Sequence, residues 1–206
     1  MDFKSSDTVP GPPPEDHLPH STQAAVKIVI VGGFGVGKTT MVGSVSEIRP
    51  LTTEETMTQA GIGVDDDYGS DSKTATTVAM DFGRISITEQ LVLYLFGTPG
   101  QERFWFLWNG LFEGALGAVV LLDTRRLEVS FDVIGRLEER GVPFVVAVNS
   151  FPDAPRYPIE ELRGALDLAV EIPIMECDAR RRASSREVLM TLMRFLHSLA
   201  MRRAPV

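Results

Sequence analysis

Cysteine is nearly missing from this chain: one in 206 residues, Cys177, which excludes an internal disulfide and a zinc site built on cysteines. No uninterrupted apolar run approaches the roughly 18 residues that cross a bilayer. The opening "MDFKSSDTV" has neither the basic start nor the apolar stretch of a secretory leader, and the closing "MRRAPV" has no cysteine box. Cytoplasmic localisation without a lipid anchor is the expectation. Positive charge is also scarce, with 20 Lys and Arg against 28 Asp and Glu and a formal charge of −8. That balance is contrary to the basic footprint of general nucleic-acid binding. The late cations of "ARRRASSREV" and "MRRAPV" read as the solvated face and end of a C-terminal helix, where they suit the helix dipole.

What is present divides sharply near residue 25. Residues 1–24 include "VPGPPPEDHLPHSTQ", a proline-rich polar run with too little apolar area to offset its ordering entropy, and are expected to form a disordered tail. His17 and His20 within it read as solvated. Residues 25–203 read as one domain. "VKIVIVGG" is a β-branched strand, and "GVGKTTMVGSVSEI" a glycine loop opening a helix. After a long polar connection come "TTVAMDFGRISI" and "QLVLYLFG", two strands expected to lie antiparallel. "GALGAVVLLD", "PFVVAVNSF" and "IPIMECDA" read as further strands. Between and after them, "SFDVIGRLEERG", "YPIEELRGALDLA" and residues 184–201 read as helices, the last with Ser184 or Ser185 as its cap. This alternation predicts an α/β, three-layer P-loop NTPase architecture. Its sheet is mainly parallel, the first connection gives one antiparallel strand, and helices cover both faces.

The strongest local signal is "GGFGVGKTT", with Gly32, Gly37, Lys38 and Thr39 at the G-x-x-x-x-G-K-[ST] spacing. Glycines allow backbone N–H groups to turn inward around phosphates, and the following helix presents its positive end. Lys38 is expected to reach the β- and γ-phosphates and the Thr39 hydroxyl to ligate Mg²⁺, with Gly35, Val36 and Thr40 completing the cradle. This loop alone does not separate a kinase, an ATPase and a GTPase.

Five segments in order, the phosphate loop, "TTVAMDF", "FGTPGQERF", "VNSFPD" and "ECDAR", resemble a Ras-like small GTPase across nearly all of the chain after the tail. More narrowly, "SEIRPLTTEE", "TTVAMDFGRI", "GTPGQERFWF" and "DARRRASS" resemble bacterial MglA-type proteins, closest to the GTP-binding members of actinobacterial conservon operons. The resemblance implies a GTP-dependent switch that binds GTP/GDP with Mg²⁺ and hydrolyses GTP slowly. It assigns the switch threonine on the metal to Thr77, with Thr74 and Thr76 as competitors and Thr52 and Thr53 as weaker candidates. Thr77 stands 39 positions after Lys38, and the added length holds the acidic "GIGVDDDYGSDSK", a surface insertion or a nucleotide-responsive loop.

For the base, the resemblance nominates Asn149 and Asp153 in "NSFPD", which departs from N-K-x-D by Ser150 and one added residue. It also nominates Asp178, Ala179 and Arg180 in "ECDAR", with the Ala179 N–H meeting the guanine O6. Guanine is preferred over adenine to the extent that Asp153 reaches, since selectivity comes from polar groups left unpaired by the wrong base.

Gly100 is assigned the γ-phosphate amide and Gln101 the orientation of the attacking water. Gly97 stands where most relatives have an aspartate that supports the metal. Asp81, on the neighbouring strand, is the expected substitute, as in MglA-type proteins, with Asp123 as runner-up. An arginine that MglA-type proteins carry before the switch threonine is here Thr76; Arg49 and Arg103 are the nearby cations. The aromatic run "RFWFLWNGLF" is expected to be in part an interaction patch and in part the inner face of a switch helix, since these residues cannot all point inward on one helix. The resemblance further implies a roadblock-type regulatory protein and a sensor-kinase-like protein as partners, with membrane association only through them. A non-hydrolysing scaffold and an ATP-binding P-loop protein are the competing readings.

Overall fold

The computed structural model describes residues 24–57, 76–101, 104 and 107–203. The tail expected over 1–24 and the acidic segment 61–73 thus lie outside the described residues, except that Ala24 already belongs to the first strand. Among the described residues seven strands form one sheet: β1 (Ala24–Val31), β2 (Leu51–Met57), β3 (Thr76–Ser86), β4 (Leu91–Gly97), β5 (Ala115–Leu122), β6 (Phe144–Asn149) and β7 (Ile174–Cys177). Their order is β2-β3-β4-β1-β5-β6-β7. β3 runs antiparallel to both neighbours, and all other pairings are parallel. The single reversed strand expected from "TTVAMDFGRISI" is present.

Period-2 alternation sends the buried strands' side chains to two cores, the pattern of a sheet covered on both faces. Ile28 and Ile30 of β1, Val119 and Leu121 of β5, and Val145 and Ala147 of β6 face one core. There they meet α1 (Lys38–Val45) through Met41, Val42 and Val45, and α5 (Arg182–Arg203) through Val188, Leu189 and Leu192. Val29, Val31, Val120, Leu122 and Val146 face the other, against Val133, Ile134 and Leu137 of α3 (Val129–Glu139). Trp108 and Phe112 of the short α2 (Trp108–Phe112) join that second core. α4 (Ile159–Ala165) precedes β7.

α3 ends as its sequence predicts: the Gly141 N–H reaches the Glu138 carbonyl at 2.9 Å and the Val142 N–H the Leu137 carbonyl at 3.0 Å, satisfying the last turn. Two expectations are corrected. "LTTEETM", read as part of a polar connection, forms β2 at the sheet edge, with Leu51 opposite Phe82 and Met57 opposite Thr76. Its threonines favour the extended chain, and an edge strand tolerates the glutamates that obscure its alternation. Ser184 and Ser185 do not cap α5, which starts at Arg182. Instead the Ser184 hydroxyl accepts from the Asp178 N–H at 2.9 Å, and the buried Ser185 hydroxyl donates to the Ala179 carbonyl at 3.3 Å. Among the described residues no helix is long and apolar enough to cross a membrane.

Candidate functional site

The site is built where β1 hands over to α1. Gly32, Gly35 and Gly37 have φ of 139°, 74° and 105°, a left-handed sequence of turns that wraps the loop around its own interior. At Gly37 the fit is also steric, because a Cβ there would lie 2.6 Å from the Asn149 amide nitrogen. Lys38 is folded back into the loop, donating to the carbonyls of Gly32 at 2.9 Å and Gly33 at 2.7 Å. Only 7% of it is exposed. That burial lowers its ammonium to about 8, with the Asp81 charge pulling the other way.

Above the loop lies a cleft of about 280 Å³, formed by Gly35, Gly37, Lys38, Thr39 and Thr40 on one side and Asp81, Thr98 and Gly100 on the other. The Thr39 hydroxyl donates to Asp81 Oδ2 at 2.7 Å. Asp81 is 7% exposed and is the register partner of Gly97 across β3 and β4. A Cβ on Gly97 would sit 2.9 Å from Asp81 Oδ2, so the carboxylate fills the space in which an aspartate at 97 would begin. A hydroxyl and a carboxylate oxygen sharing one hydrogen bond, beside a phosphate loop, are a donor pair of the hard-oxygen type that Mg²⁺ takes. The residues present therefore fit the metal.

Asp123, the runner-up, does not. Its carboxylate is occupied by Arg125, with Nε on Oδ1 at 2.9 Å and Nη2 on Oδ2 at 2.7 Å, and it also accepts the Arg125 N–H at 3.0 Å. These bonds hold its carboxyl below the usual carboxylate range. Thr77 is not brought to the cleft. The chain before Val78 does not curl back; Thr76 and Thr77 are paired in β3 with Met57 and Thr56. Four residues of extended chain, about 13 Å at ~3.3 Å each, separate Thr77 from Asp81. The register instead places Thr52 of β2 opposite Asp81. Thr74 lies outside the described residues.

Gly100 packs tightly on the loop, since a Cβ there would lie 2.7 Å from Lys38 Nζ and 2.8 Å from the Phe34 nitrogen. Gln101 follows, half-buried, with its carbonyl accepting the Phe104 N–H at 3.0 Å. In the aromatic run Phe104, Trp108, Leu111 and Phe112 are buried, giving the inner-face reading to those four; Trp105 and Phe106 are outside the described residues.

On the base side, Asn149 is 5% exposed and bridges two loops. Its Nδ2 donates to the Val36 carbonyl at 2.8 Å, and its Oδ1 accepts the Ala179 N–H at 2.9 Å. The amide expected to meet a base oxygen is thus paired with Asn149 in this structure, since the ends of β6 and β7 lie side by side. Asp178 and Arg180 are paired with each other, at 2.8 and 2.9 Å. That pairing lowers the Asp178 carboxyl and raises Arg180. Asp153 is exposed, and its charge acts on Arg125.

Of the cations considered, Arg49 is exposed and Arg103 lies outside the described residues. Among the described residues Arg126, which no sequence motif singled out, reaches the phosphate loop: its Nη2 donates to the Phe34 carbonyl at 2.7 Å. Its signal was "DTRR", two arginines directly after a buried strand.

Residues 30–198 match the family described as "Conserved hypothetical ATP binding protein". The chain is 28% identical over 126 residues to the uncharacterized protein MJ1339 of Methanocaldococcus jannaschii, covering 60% of this chain and 69% of that one. It is 30% identical over 124 residues to the Ras-related protein RABA3 of Arabidopsis thaliana, covering 59% of this chain and 44% of that protein, less than half its length. Among solved structures, the Arl6 BBS3 small GTPase of Trypanosoma brucei, bound to the analogue GppNp, superposes with a TM-score of 0.60 at 18% identity. That match covers 85% of this chain and 99% of the other, and it shows the shared fold.

Proposed function

We propose that this chain, which belongs to the conserved hypothetical ATP binding protein family, is a Mg²⁺-dependent GTP/GDP switch that hydrolyses GTP slowly. The observation that carries this reading is the cleft in which Lys38, Thr39 and Asp81 converge on one face of the phosphate loop. Loop amides and Lys38 bind the β- and γ-phosphates, and Thr39 and Asp81 are the residues that would hold the metal. When bound, the ion neutralises charge on the β- and γ-phosphate oxygens. Gly100, packed against Phe34 and Lys38, carries an amide suited to sensing the γ-phosphate. Gln101 beside it orients water. Guanine is favoured by the likeness to the Ras-related relatives.

Adenine is the second reading. It is favoured by the exposed Asp153 and by the Ala179 amide being paired within the protein. The roadblock-type regulator and the sensor-kinase-like protein are the partners supported by the resemblance to conservon proteins.

Identification of the nucleotide that copurifies, followed by calorimetry with GTP and ATP with and without Mg²⁺, tests the proposal. Tighter binding of GTP that depends on Mg²⁺ supports it. Equal or tighter binding of ATP transfers the site to the second reading, and binding of neither overturns both.

A further inference from the structure

A phosphate loop works only if its peptide N–H groups point inward, and a trans peptide forces the carbonyl of each unit to point the opposite way. Whatever holds a carbonyl outward therefore aims the next residue's N–H into the cradle. At the apex of this loop that holder is a side chain from 92 residues away: Arg126 Nη2 donates to the Phe34 carbonyl at 2.7 Å. A Cβ built on Gly35 would lie 3.6 Å from the same nitrogen, so the guanidinium lies against the outside of the apex. We propose that Arg126 is a positioning residue for phosphate binding, which pins the Phe34 carbonyl outward and so presents the Gly35 N–H to the phosphates of a nucleoside di- or triphosphate.

The arginine is itself held. The Arg126 N–H donates to the Asp123 carbonyl at 3.0 Å, in a turn that directly follows the buried end of β5. The Asp123 carboxylate, 4% exposed, lies 3.8 Å from Arg126 Nη2. That carboxylate is bonded to Arg125, and its charge also lies close to the Arg126 nitrogen that donates to the Phe34 carbonyl. From the other side Gly100 presses on Phe34, where a Cβ would come within 2.8 Å of its Cα and nitrogen. Phe34 is thus in contact with Arg126 through its carbonyl and with the loop of Gly100 through its Cα and nitrogen. The neighbouring units have other holders: the Val36 N–H reaches the Gly33 carbonyl at 3.4 Å, and Asn149 Nδ2 donates to the Val36 carbonyl at 2.8 Å. A hydrogen bond from a charged donor is among the stronger single contacts available to fix such a peptide.

The inference rests on the nucleotide site proposed above, and its test separates the two. Full-length wild type, Arg126→Ala and Arg126→Lys are compared by three readouts: the dissociation rate of GDP and of ADP, the melting temperature without nucleotide, and the Gly35 amide proton shift on adding GDP or ADP. The expected result for Arg126→Ala is diphosphate release faster by about ten-fold, the factor of one charged hydrogen bond. The Gly35 nucleotide-induced shift should be reduced and the nucleotide-free melting temperature held. Arg126→Lys, which keeps a cationic donor, should recover the larger part of both changes. If wild type binds neither diphosphate, the nucleotide-site reading falls and this inference with it. If wild type binds but Arg126→Ala keeps its release rate and Gly35 shift, the inference alone is overturned. It is also overturned if Arg126→Ala melts early or fails to fold and Arg126→Lys shows no recovery, since Arg126 would then serve the fold and not the loop.

Discussion

Asp81 and Gly97 are cross-strand partners, and the Asp81 carboxylate stands over Gly97 within 2.7 Å of the Thr39 hydroxyl. β4 carries no carboxylate at Gly97, and β3 places the one of Asp81 beside that position. The geometry of an antiparallel pair makes this placement feasible, because directly opposed residues project to the same face.

Removing the charge at this position should separate metal support from phosphate binding. Asp81→Asn is expected to leave a weak metal-free affinity for nucleotide and to lose about 10–100-fold of the Mg²⁺-supported part, the usual range for a residue that supports a metal site. The register adds a comparison: Thr77, paired with Thr56 four residues from Asp81, should not share this loss on substitution by alanine. Nucleotide titrations across a Mg²⁺ series check both. A larger effect at Thr77 would show that β3 peels from β2 when nucleotide binds.

Restoring the common aspartate should harm this protein. Gly97→Asp drives a Cβ to 2.9 Å from Asp81 Oδ2 and 3.0 Å from its Cβ, and sets two carboxylates side by side. Overpacking of this kind destabilises by about 1–3 kcal/mol. Gly97→Asp combined with Asp81→Gly should recover most of that loss in urea unfolding, together with Mg²⁺-dependent binding.

Asn149 ties the phosphate loop to the loop after β7. Its replacement by alanine orphans the Val36 carbonyl and the Ala179 N–H, both in the buried interior of the site. Each buried group left unpaired is worth about 1–3 kcal/mol, so a loss of about 2–6 kcal/mol is expected in chemical unfolding. Binding of GTP and ATP should fall together. A drop confined to GTP would instead assign Asn149 to the base.

The buried Lys38 ammonium titrates at about 8 in the free protein, below its ordinary 10.5, because burial penalises the charged form. Bound phosphates favour the charge, so binding at pH 8 should take up a fraction of a proton, and affinity should weaken as pH rises through about 8. Calorimetry in two buffers of different ionisation enthalpy reads the uptake directly. Stability of the free fold has the opposite sign. Between about 8 and 10.5 the unfolded chain holds the proton that the folded chain has released, so this group's contribution rises with pH across that window.

The local features of this protein were determined by its sequence alone. The spacing of Gly32, Gly37, Lys38 and Thr39, the β-branched strand before them, the reversed strand around Asp81 and the helix stop at Gly141 follow from steric and periodic rules that act within a few residues. β2 was obscured because an edge strand needs no apolar alternation. Tertiary structure alone decided which distant residues meet: Asp81 over Gly97 and beside Thr39, Asn149 between Val36 and Ala179, and Arg126 on the Phe34 carbonyl. It also decided that Thr77 stays in its strand and that Asp123 is occupied by arginine. Such pairings depend on strand register and on how the sheet's layers pack. A shift of one residue in register reverses which face a side chain takes, and no short-range pattern in the chain records that choice.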